Sequence, residues 1–378
     1  MRLAPRMSLR NAAIQILNHE AVGADAVGRH IQSADLVRDI MGRAGQAPAQ
    51  TLCALNTLRR QGAVSVALPC AHPDMQAVAA EGPAAMALCA QSPALWNVYA
   101  YAREWDSHPE YNDFMNPASP AHHRKTFQGE IYAKMLAPWI ERLDAASRVL
   151  DAGAGVGRMA PHLARTGARL DLADASERAL LCAWDTLCRA GARDYDLHWR
   201  GAHDLDCFAT DSFDLVLALE LLCYLDEPTR AAAELARVCR PGGVVAFSVE
   251  NKAGAIFGDP HIEAGDISAL LTCNELVVPE YIYVNYHTAD AAAALAVMAG
   301  LEIRLVAGCH FLADGPFHAL ATEEMLANPQ KRTRAHAVEN ACREHAWLRR
   351  FARAWLVVAQ KPEAESEQAS APCASCGN

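Results

Sequence analysis

The 378-residue sequence lacks the marks of a membrane or secreted protein. It has no apolar run of about 18 residues free of charge, the shortest stretch that normally crosses a bilayer as a helix. Its first seven residues hold two arginines but no contiguous apolar segment and no cleavage pattern, so a secretory signal is not expected. A cytoplasmic protein without a membrane partner is therefore predicted.

Positive charge is also in short supply. The 34 lysines and arginines are outnumbered by 44 aspartates and glutamates, which leaves a formal net charge of -10. Nucleic-acid phosphates repel such a surface, and their neutralisation needs several cations at one site. A nucleic-acid partner is therefore not expected.

Cysteines are plentiful, but paired cysteine spacings are scarce. Most of the 13 stand singly in apolar or helical surroundings, which is typical of free thiols in a reducing cytoplasm. The exception is Cys373 and Cys376 in the polar tail 362–378, a segment whose composition predicts disorder. One such pair supplies only half of a tetrahedral zinc site, so no metal is predicted, and the tail's role as ligand, redox pair or substrate stays open.

The strongest positive signal is a glycine turn between a strand and a helix. Residues 149–157 read Val-Leu-Asp-Ala-Gly-Ala-Gly-Val-Gly, and a helical pattern follows over 158–166. This order lets backbone N–H groups approach a ligand closely. About 20 residues on, 170–174 read Leu-Asp-Leu-Ala-Asp, a second strand with Asp174 at its tip, where a carboxylate can take a ribose diol.

Three kinds of nucleotide ligand compete for this turn. A P-loop needs a lysine and a hydroxyl where Arg158 and Met159 stand, so that interpretation fails. The dinucleotide fingerprint needs a glycine three residues after Gly155, and Arg158 there disfavours NAD or FAD without excluding them. S-adenosylmethionine has no phosphate and needs close backbone contact and a ribose acid, which the turn and Asp174 offer.

Four ordered blocks carry a family resemblance. Residues 149–157, 172–177, 212–222 and 239–243 resemble motif I, the second strand, the motif IV strand and the turn before strand five of the class I S-adenosylmethionine-dependent methyltransferases, small-molecule branch. The resemblance extends over about residues 120–361. It implies a Rossmann-like α/β fold with a seven-stranded sheet, S-adenosylmethionine as cofactor, and methyl transfer by in-line displacement to a small-molecule hydroxyl, amine or carbon.

The resemblance also implies which residues contact the cofactor. These are Asp151, Gly153, Ala154, Gly155, Gly157, Asp174, Ala175 and Leu219. The family often has an acid after strand three that takes the adenine amino group, and Asp204 is the candidate here, with Asp206 second. A plain loop carboxylate is the other interpretation of both.

Alternating apolar and helical patterns predict the rest of the sheet. Strands are expected at 148–151, 169–173, 196–199, 213–219, 244–249, 301–308 and 354–359. Such alternation builds a parallel sheet with ligands at the carboxyl ends of its strands. A helix is expected at 128–143 and a long helical segment at about 322–351. The long connection 250–288 has an aromatic core and is expected to be functional, for example as a lid.

The N-terminal region is predicted to form a separate domain. Residues 1–80 resemble a winged-helix domain, which serves either DNA reading or dimerisation. Its candidate recognition helix, 48–60, carries only two cations, Arg59 and Arg60, so a homodimerisation role is favoured. Residues 81–125 form an aromatic bridge that lines the acceptor pocket or packs the domains together, 126–361 form the cofactor-binding domain, and the basic residues 122–125 are expected on a solvated face.

Catalytic candidates follow the strand ends. A hydroxyl acceptor needs a base within hydrogen-bond reach, and Glu220 and Tyr224 come directly after strand four. His287 ends the aromatic connection, and His310 and His318 follow a later strand. Two other functions remain open: a winged-helix DNA-binding regulator that senses S-adenosylmethionine, and an NAD(P)-dependent oxidoreductase.

Overall fold

The computed structural model describes residues 56, 59, 60, 112–225, 227–258, 262–278 and 282–363. Nearly all of the winged-helix-like domain, most of the aromatic bridge and almost the whole tail lie outside these residues. The predictions for those parts therefore stay predictions.

A nine-stranded sheet forms the centre of the described structure. Its strands are β1 Arg148–Ala152, β2 Arg169–Asp174, β3 Tyr195–Trp199, β4 Phe213–Ala218, β5 Cys239–Asn251, β6 Glu275–Val278, β7 Ile282–His287, β8 Glu302–Cys309 and β9 Ala354–Gln360. Seven of them follow the order β3-β2-β1-β4-β5-β9-β8, with β9 antiparallel to both of its neighbours. The predicted Rossmann-like, seven-stranded sheet is confirmed, and β6 and β7 are additions to it.

Nine α-helices surround the sheet within the described ranges. They are α1 His122–Ile140, α2 Ala160–Leu163, α3 Glu177–Ala190, α4 Pro228–Val238, α5 Lys252–Gly258, α6 Ala264–Thr272, α7 Ala289–Met298, α8 Glu323–Ala327 and α9 Pro329–Glu344. None of them is both long and apolar enough to cross a membrane. The eight cysteines in these ranges are all free thiols, so no disulfide joins any two of them.

The structure corrects the extent of two predicted helical segments. The long helical segment expected over about 322–351 is divided into α8 and α9, because the Asn328 side chain caps a new helix and Pro329 has no N–H to continue the old one. The helix expected from 128 begins at His122, because the Glu323 carboxylate accepts the backbone N–H groups of His123 and Arg124 at 2.8 and 2.9 Å. An acid at a helix N-terminus satisfies free donors there and stabilises the dipole.

The first turn of α1 also contradicts the expected solvated face. Arg124 and Lys125 both bind the Asp314 carboxylate, at 2.9 and 2.6 Å. The Lys125 side chain is 18% exposed. These two cations therefore join α1 to the loop after β8 and do not face bulk water.

Alternate strand residues pack against helices on opposite faces of the sheet. Val149 of β1 joins the core beneath α1 and α3, which contribute the fully buried Phe127 and Trp184. Its neighbour Leu150 joins the core beneath α4 and α7. Side chains of a strand alternate between the two faces of the sheet, and both faces are buried here. This explains why the strands appear in the sequence as continuous apolar runs.

The segment over 252–287 is an insertion that reaches the carboxyl edge of the sheet. β7 pairs with the end of β5, where Glu250 lies opposite Tyr286 and Asn251 opposite His287. The insertion has its own small core, which also contains Cys223. The Asn285 amide donates to the Leu225 carbonyl. The insertion thus packs against the residues that directly follow β4.

Candidate active site

The glycine turn is held across the ends of β1 and β2 by hydrogen bonds. The Gly153 N–H donates to the Ala173 carbonyl at 2.7 Å. The Asp174 carboxylate accepts the N–H groups of Gly155 and Ser176 at 2.7 and 2.8 Å. A carboxylate has about four acceptor positions, so Asp174 keeps capacity for a ligand.

Two positions of the turn need glycine, each for a different structural reason. Gly155 has φ +53, and a Cβ added there would have no atom within 4 Å, so its backbone faces open space. Gly157 has φ +78, and a Cβ there would approach the Ala183 Cα to 3.3 Å. Gly155 therefore leaves room for a ligand beside the backbone, whereas Gly157 allows the turn to pack on α3.

A cavity of about 330 Å³ opens at the carboxyl ends of the strands. It is lined by most of the candidates from the sequence: Asp151, Gly153, Ala154, Gly155, Asp174, Ala175, Leu219, Glu220 and Tyr224. Gly157, Asp204 and His287 do not line it. Sequence patterns did not single out four further wall residues: Lys125, Arg158, His203 and Arg353. Phe114, which also lines the cavity, belongs to the aromatic bridge, for which a place on the pocket wall was one of two interpretations.

Asp204 lies in the loop after β3 but off the cavity wall. Its carboxylate is 3.8 Å from the Arg200 guanidinium, and Arg200 also pairs with Asp206. The residues of this loop that line the cavity are Arg200, Gly201, Ala202 and His203. The geometry therefore favours a loop ion pair for both acids over a contact to adenine.

Glu220 forms the centre of a buried ion-pair cluster. Arg158 binds both of its carboxylate oxygens at 2.8 and 3.2 Å, and Arg353 approaches to 3.3 Å. The Tyr132 hydroxyl donates to it at 3.3 Å. Burial opposes ionisation, but the positive charges of Arg158, Arg353 and Lys125 hold the pKa of Glu220 well below its usual range. Glu220 is therefore a weak base and better suited to positioning the two arginines.

None of the three histidine candidates lines the cavity. His287 ends β7 and is largely buried, and burial lowers its pKa. His310 is fully buried, 3.7 Å from Glu220, and burial lowers its pKa to about 3, so the imidazole is neutral. His318 lies in a turn where its Nδ1 is 3.0 Å from the Gly315 carbonyl oxygen. Of the three strongest catalytic candidates, Glu220 and Tyr224 line the cavity and His287 does not.

Asp151 is a cavity acid whose pKa is raised to near neutral pH. It ends β1 and is buried, and this burial, together with the negative charge of Asp174, raises its pKa to about 7 despite the opposing effect of Arg158. A carboxyl group in that state is partly ionised at neutral pH and responds to charge on a ligand.

Comparisons with known proteins agree with this geometry. Residues 150–247 match the family model described as a methyltransferase domain. The ubiquinone biosynthesis O-methyltransferase of Aromatoleum aromaticum is 35% identical over 116 residues, which cover 30% of this chain and 49% of that protein. Methyltransferase GfsG of Streptomyces halstedii is 39% identical over 121 residues, 30% of this chain and 42% of that one.

The chain spans about half the length of these curated relatives. Among solved structures, the magnesium protoporphyrin IX methyltransferase of Synechocystis PCC 6803 has a TM-score of 0.44 and 12% identity, over 70% of this chain and 99% of that chain. The stretch that matches the family model contains the glycine turn, Asp174 and Glu220.

Proposed function

Because residues 150–247 form a methyltransferase domain, we propose that this protein transfers a methyl group from S-adenosylmethionine to a small-molecule acceptor. The observation that carries the proposal is the pairing of an open glycine backbone at Gly155 with the Asp174 carboxylate on one cavity wall. A close backbone approach and a ribose acid are what this cofactor needs, and neither a phosphate-binding lysine nor a third dinucleotide glycine is present.

The chain's own groups would contribute binding and alignment. The cofactor supplies an electrophilic methyl group on a sulfonium. The backbone of Gly153 and Gly155 and the Asp174 carboxylate would hold it at the ends of β1 and β2. Fixed alignment of two reactants is worth up to ~7–11 kcal/mol of the barrier. For a hydroxyl acceptor, Tyr224 remains the wall candidate for handling the proton, whereas carbon and amine acceptors need less from a base.

A calorimetric titration with three ligands tests this function. S-adenosylmethionine and S-adenosylhomocysteine are expected to bind with micromolar affinity, and NADH is expected not to bind. Tight NADH binding without adenosyl binding would replace the methyltransferase by the oxidoreductase alternative. If no adenosyl ligand binds the full chain, the proposed function fails.

Contacts of the N-terminal arginines weigh against the DNA-reading alternative. Arg59 and Arg60 approach the Asp185 carboxylate of α3 at 3.6 and 3.8 Å, and the Arg59 guanidinium lies 6.0 Å from the ring centre of Trp184. Cations used in this way are poorly placed to neutralise phosphate. We also propose that the protein is a cytoplasmic homodimer whose contacts come from residues 1–80, and sedimentation equilibrium of the full chain tests the dimer.

The affinity for S-adenosylhomocysteine is expected to rise with pH and level off above pH 7. Its ammonium group favours the ionised form of Asp151, whose pKa burial raises to about 7. Below that pKa the carboxyl must lose a proton on binding, so the affinity falls by up to about tenfold for each pH unit. Titrations between about pH 5.5 and 8.5, the window on either side of that pKa, measure the slope.

The variant Asp151→Asn is the control for this pH dependence. The amide cannot ionise, so the slope should disappear in the variant and proton release on binding should be lost. A flat profile in the wild-type protein, or an unchanged slope in Asp151→Asn, would show that another group titrates.

A further inference from the structure

Three basic side chains line one part of the cavity wall and come from distant parts of the chain. Lys125 lies in the first turn of α1, Arg158 follows the glycine turn, and Arg353 directly precedes β9. Their side chains are 18%, 15% and 17% exposed. Arg158 also lies over the Phe114 ring, 5.2 Å from its centre. This end of the wall is therefore cationic and partly aromatic.

Of the carboxylates that pair with these cations, Glu220 lines the cavity, whereas Asp314 and Glu250 do not. Arg158 and Arg353 share Glu220. Lys125 shares Asp314 with Arg124, which does not line the cavity.

Arg353 has a further partner in Glu250, which its guanidinium contacts at 2.6 Å. Arg124 also lies 4.0 Å from Glu323, so the cluster as a whole has as many carboxylates as cations. Three of its cations line the cavity, however, against one of its carboxylates, and the neighbouring His310 is neutral. The charge that this part of the wall presents to the cavity is therefore mainly positive, which favours an anionic ligand.

Two of the three cations lie outside the segment shared with the methyltransferase family. The match to the family model begins at residue 150 and ends at residue 247. It includes the glycine turn, Asp174 and Arg158, but it does not include Lys125 or Arg353. The elements that hold the cofactor in this fold are thus separate in sequence from α1 and β9. This separation assigns Lys125 and Arg353 to the acceptor.

We propose that the acceptor carries a carboxylate and that Lys125, Arg158 and Arg353 bind it. Arginine presents paired N–H groups that match the two oxygens of a carboxylate, and charged hydrogen bonds of this kind are the strong ones. Phe114 lies beside this site as an apolar surface for the acceptor's body. The inference rests on the proposed function, and the carboxylate of the cofactor is the competing source of the same chemistry.

The test measures how strongly the protein distinguishes a carboxylate from its neutral amide. The full chain, saturated with S-adenosylhomocysteine, is titrated with 4-hydroxybenzoate against 4-hydroxybenzamide and with phenylacetate against phenylacetamide. At least one carboxylate is expected to bind about tenfold or more tightly than its amide, since a hydrogen bond to a charged group contributes ~1.5–3 kcal/mol.

Lys125→Met is expected to reduce this preference to about threefold or less, because the charge and its donors leave the wall. Asp314 keeps Arg124 as a partner in that variant, which limits the structural damage. Lys125→Arg should retain the preference. Arg124→Met is the matched control, because it removes a cation from the same carboxylate but not from the cavity wall, and it should retain the preference within about twofold.

Three results would overturn the inference. One is that no carboxylate binds more tightly than its amide. A second is that Arg124→Met lowers the preference as much as Lys125→Met does. The third is that Lys125→Met weakens S-adenosylhomocysteine binding as much as carboxylate binding, which would assign the cations to the cofactor. Failure of S-adenosylhomocysteine to bind the wild-type chain would instead refute the proposed function.

Discussion

Asp174→Ala is expected to weaken S-adenosylhomocysteine binding about 100-fold, because hydrogen bonds to a charged group contribute ~1.5–3 kcal/mol each and ~1.4 kcal/mol is a factor of ten. The substitution removes the acceptor for a ribose diol and also the anchor of the Gly155 and Ser176 N–H groups. Calorimetric titration of the variant and the wild-type protein measures the loss.

A second ligand distinguishes two effects of Asp174→Ala, the loss of a contact to the ribose and the loss of the hydrogen bonds that hold the turn. An analogue of S-adenosylhomocysteine without its 2′-hydroxyl should bind the wild-type protein more weakly, and Asp174→Ala should no longer distinguish the two ligands. Asp204→Ala is the matched removal of an acid, and it should change the affinity by less than about threefold, the size of a surface effect, because Asp204 lies off the wall. Asp174→Ala with near wild-type affinity would contradict the site as described.

Glu220→Gly is expected to lower the free energy of unfolding by about 3–5 kcal/mol, the usual effect of removing one partner from a buried ion pair. Arg158 would lose its bidentate carboxylate, and Arg353 would keep only Glu250. Glycine is the sharper substitution because Glu220 has φ +56, a conformation that glycine adopts without strain. Urea unfolding of the wild type and the variant measures the difference.

The pH dependence of that difference identifies its electrostatic origin. The pKa of Glu220 in the folded protein lies well below its ordinary value of 4.5. The stabilisation is therefore fully present above about pH 4.5, where the unfolded chain also has the ionised group, and is lost as the pH falls below it. The difference in the free energy of unfolding between the wild type and Glu220→Gly should shrink below that pH. A difference that stays constant would show that lost packing, and not lost charge, destabilises the variant. The double variant Glu220→Gly with Arg158→Met should recover part of the loss.

Short-range patterns were sufficient for the cofactor part of the cavity. The residues from Val149 to Asp174 belong to two neighbouring strands and the turn between them, so glycine spacing and apolar alternation describe them directly. Asp151, Gly155 and Asp174 all reached the wall that the sequence predicted. Asp204 did not, because the side-chain direction in a loop depends on ion pairs such as that with Arg200 and not on a repeating pattern.

The ion pairs around Glu220 were not accessible to local patterns. Glu220 was singled out by its place directly after strand four, but its interpretation as a base did not anticipate Arg158 and Arg353. The basic residues at the start of α1 looked like a solvated face, although Lys125 and Arg124 bind an acid almost 190 residues later. Neither pairing has a signal in local sequence.

The sequence by itself determined the parallel sheet, the glycine turn and the place of Asp174 at the end of β2, because each depends on backbone conformation and alternation over a few residues. The tertiary structure alone decided where α1 begins, which charges meet at Glu220, and which cations line the cavity. Those features depend on partners between 60 and 200 residues apart in the chain, such as Arg158 with Glu220 and His123 with Glu323. Only packing in three dimensions brings such groups within the few ångströms over which a hydrogen bond or a buried ion pair acts.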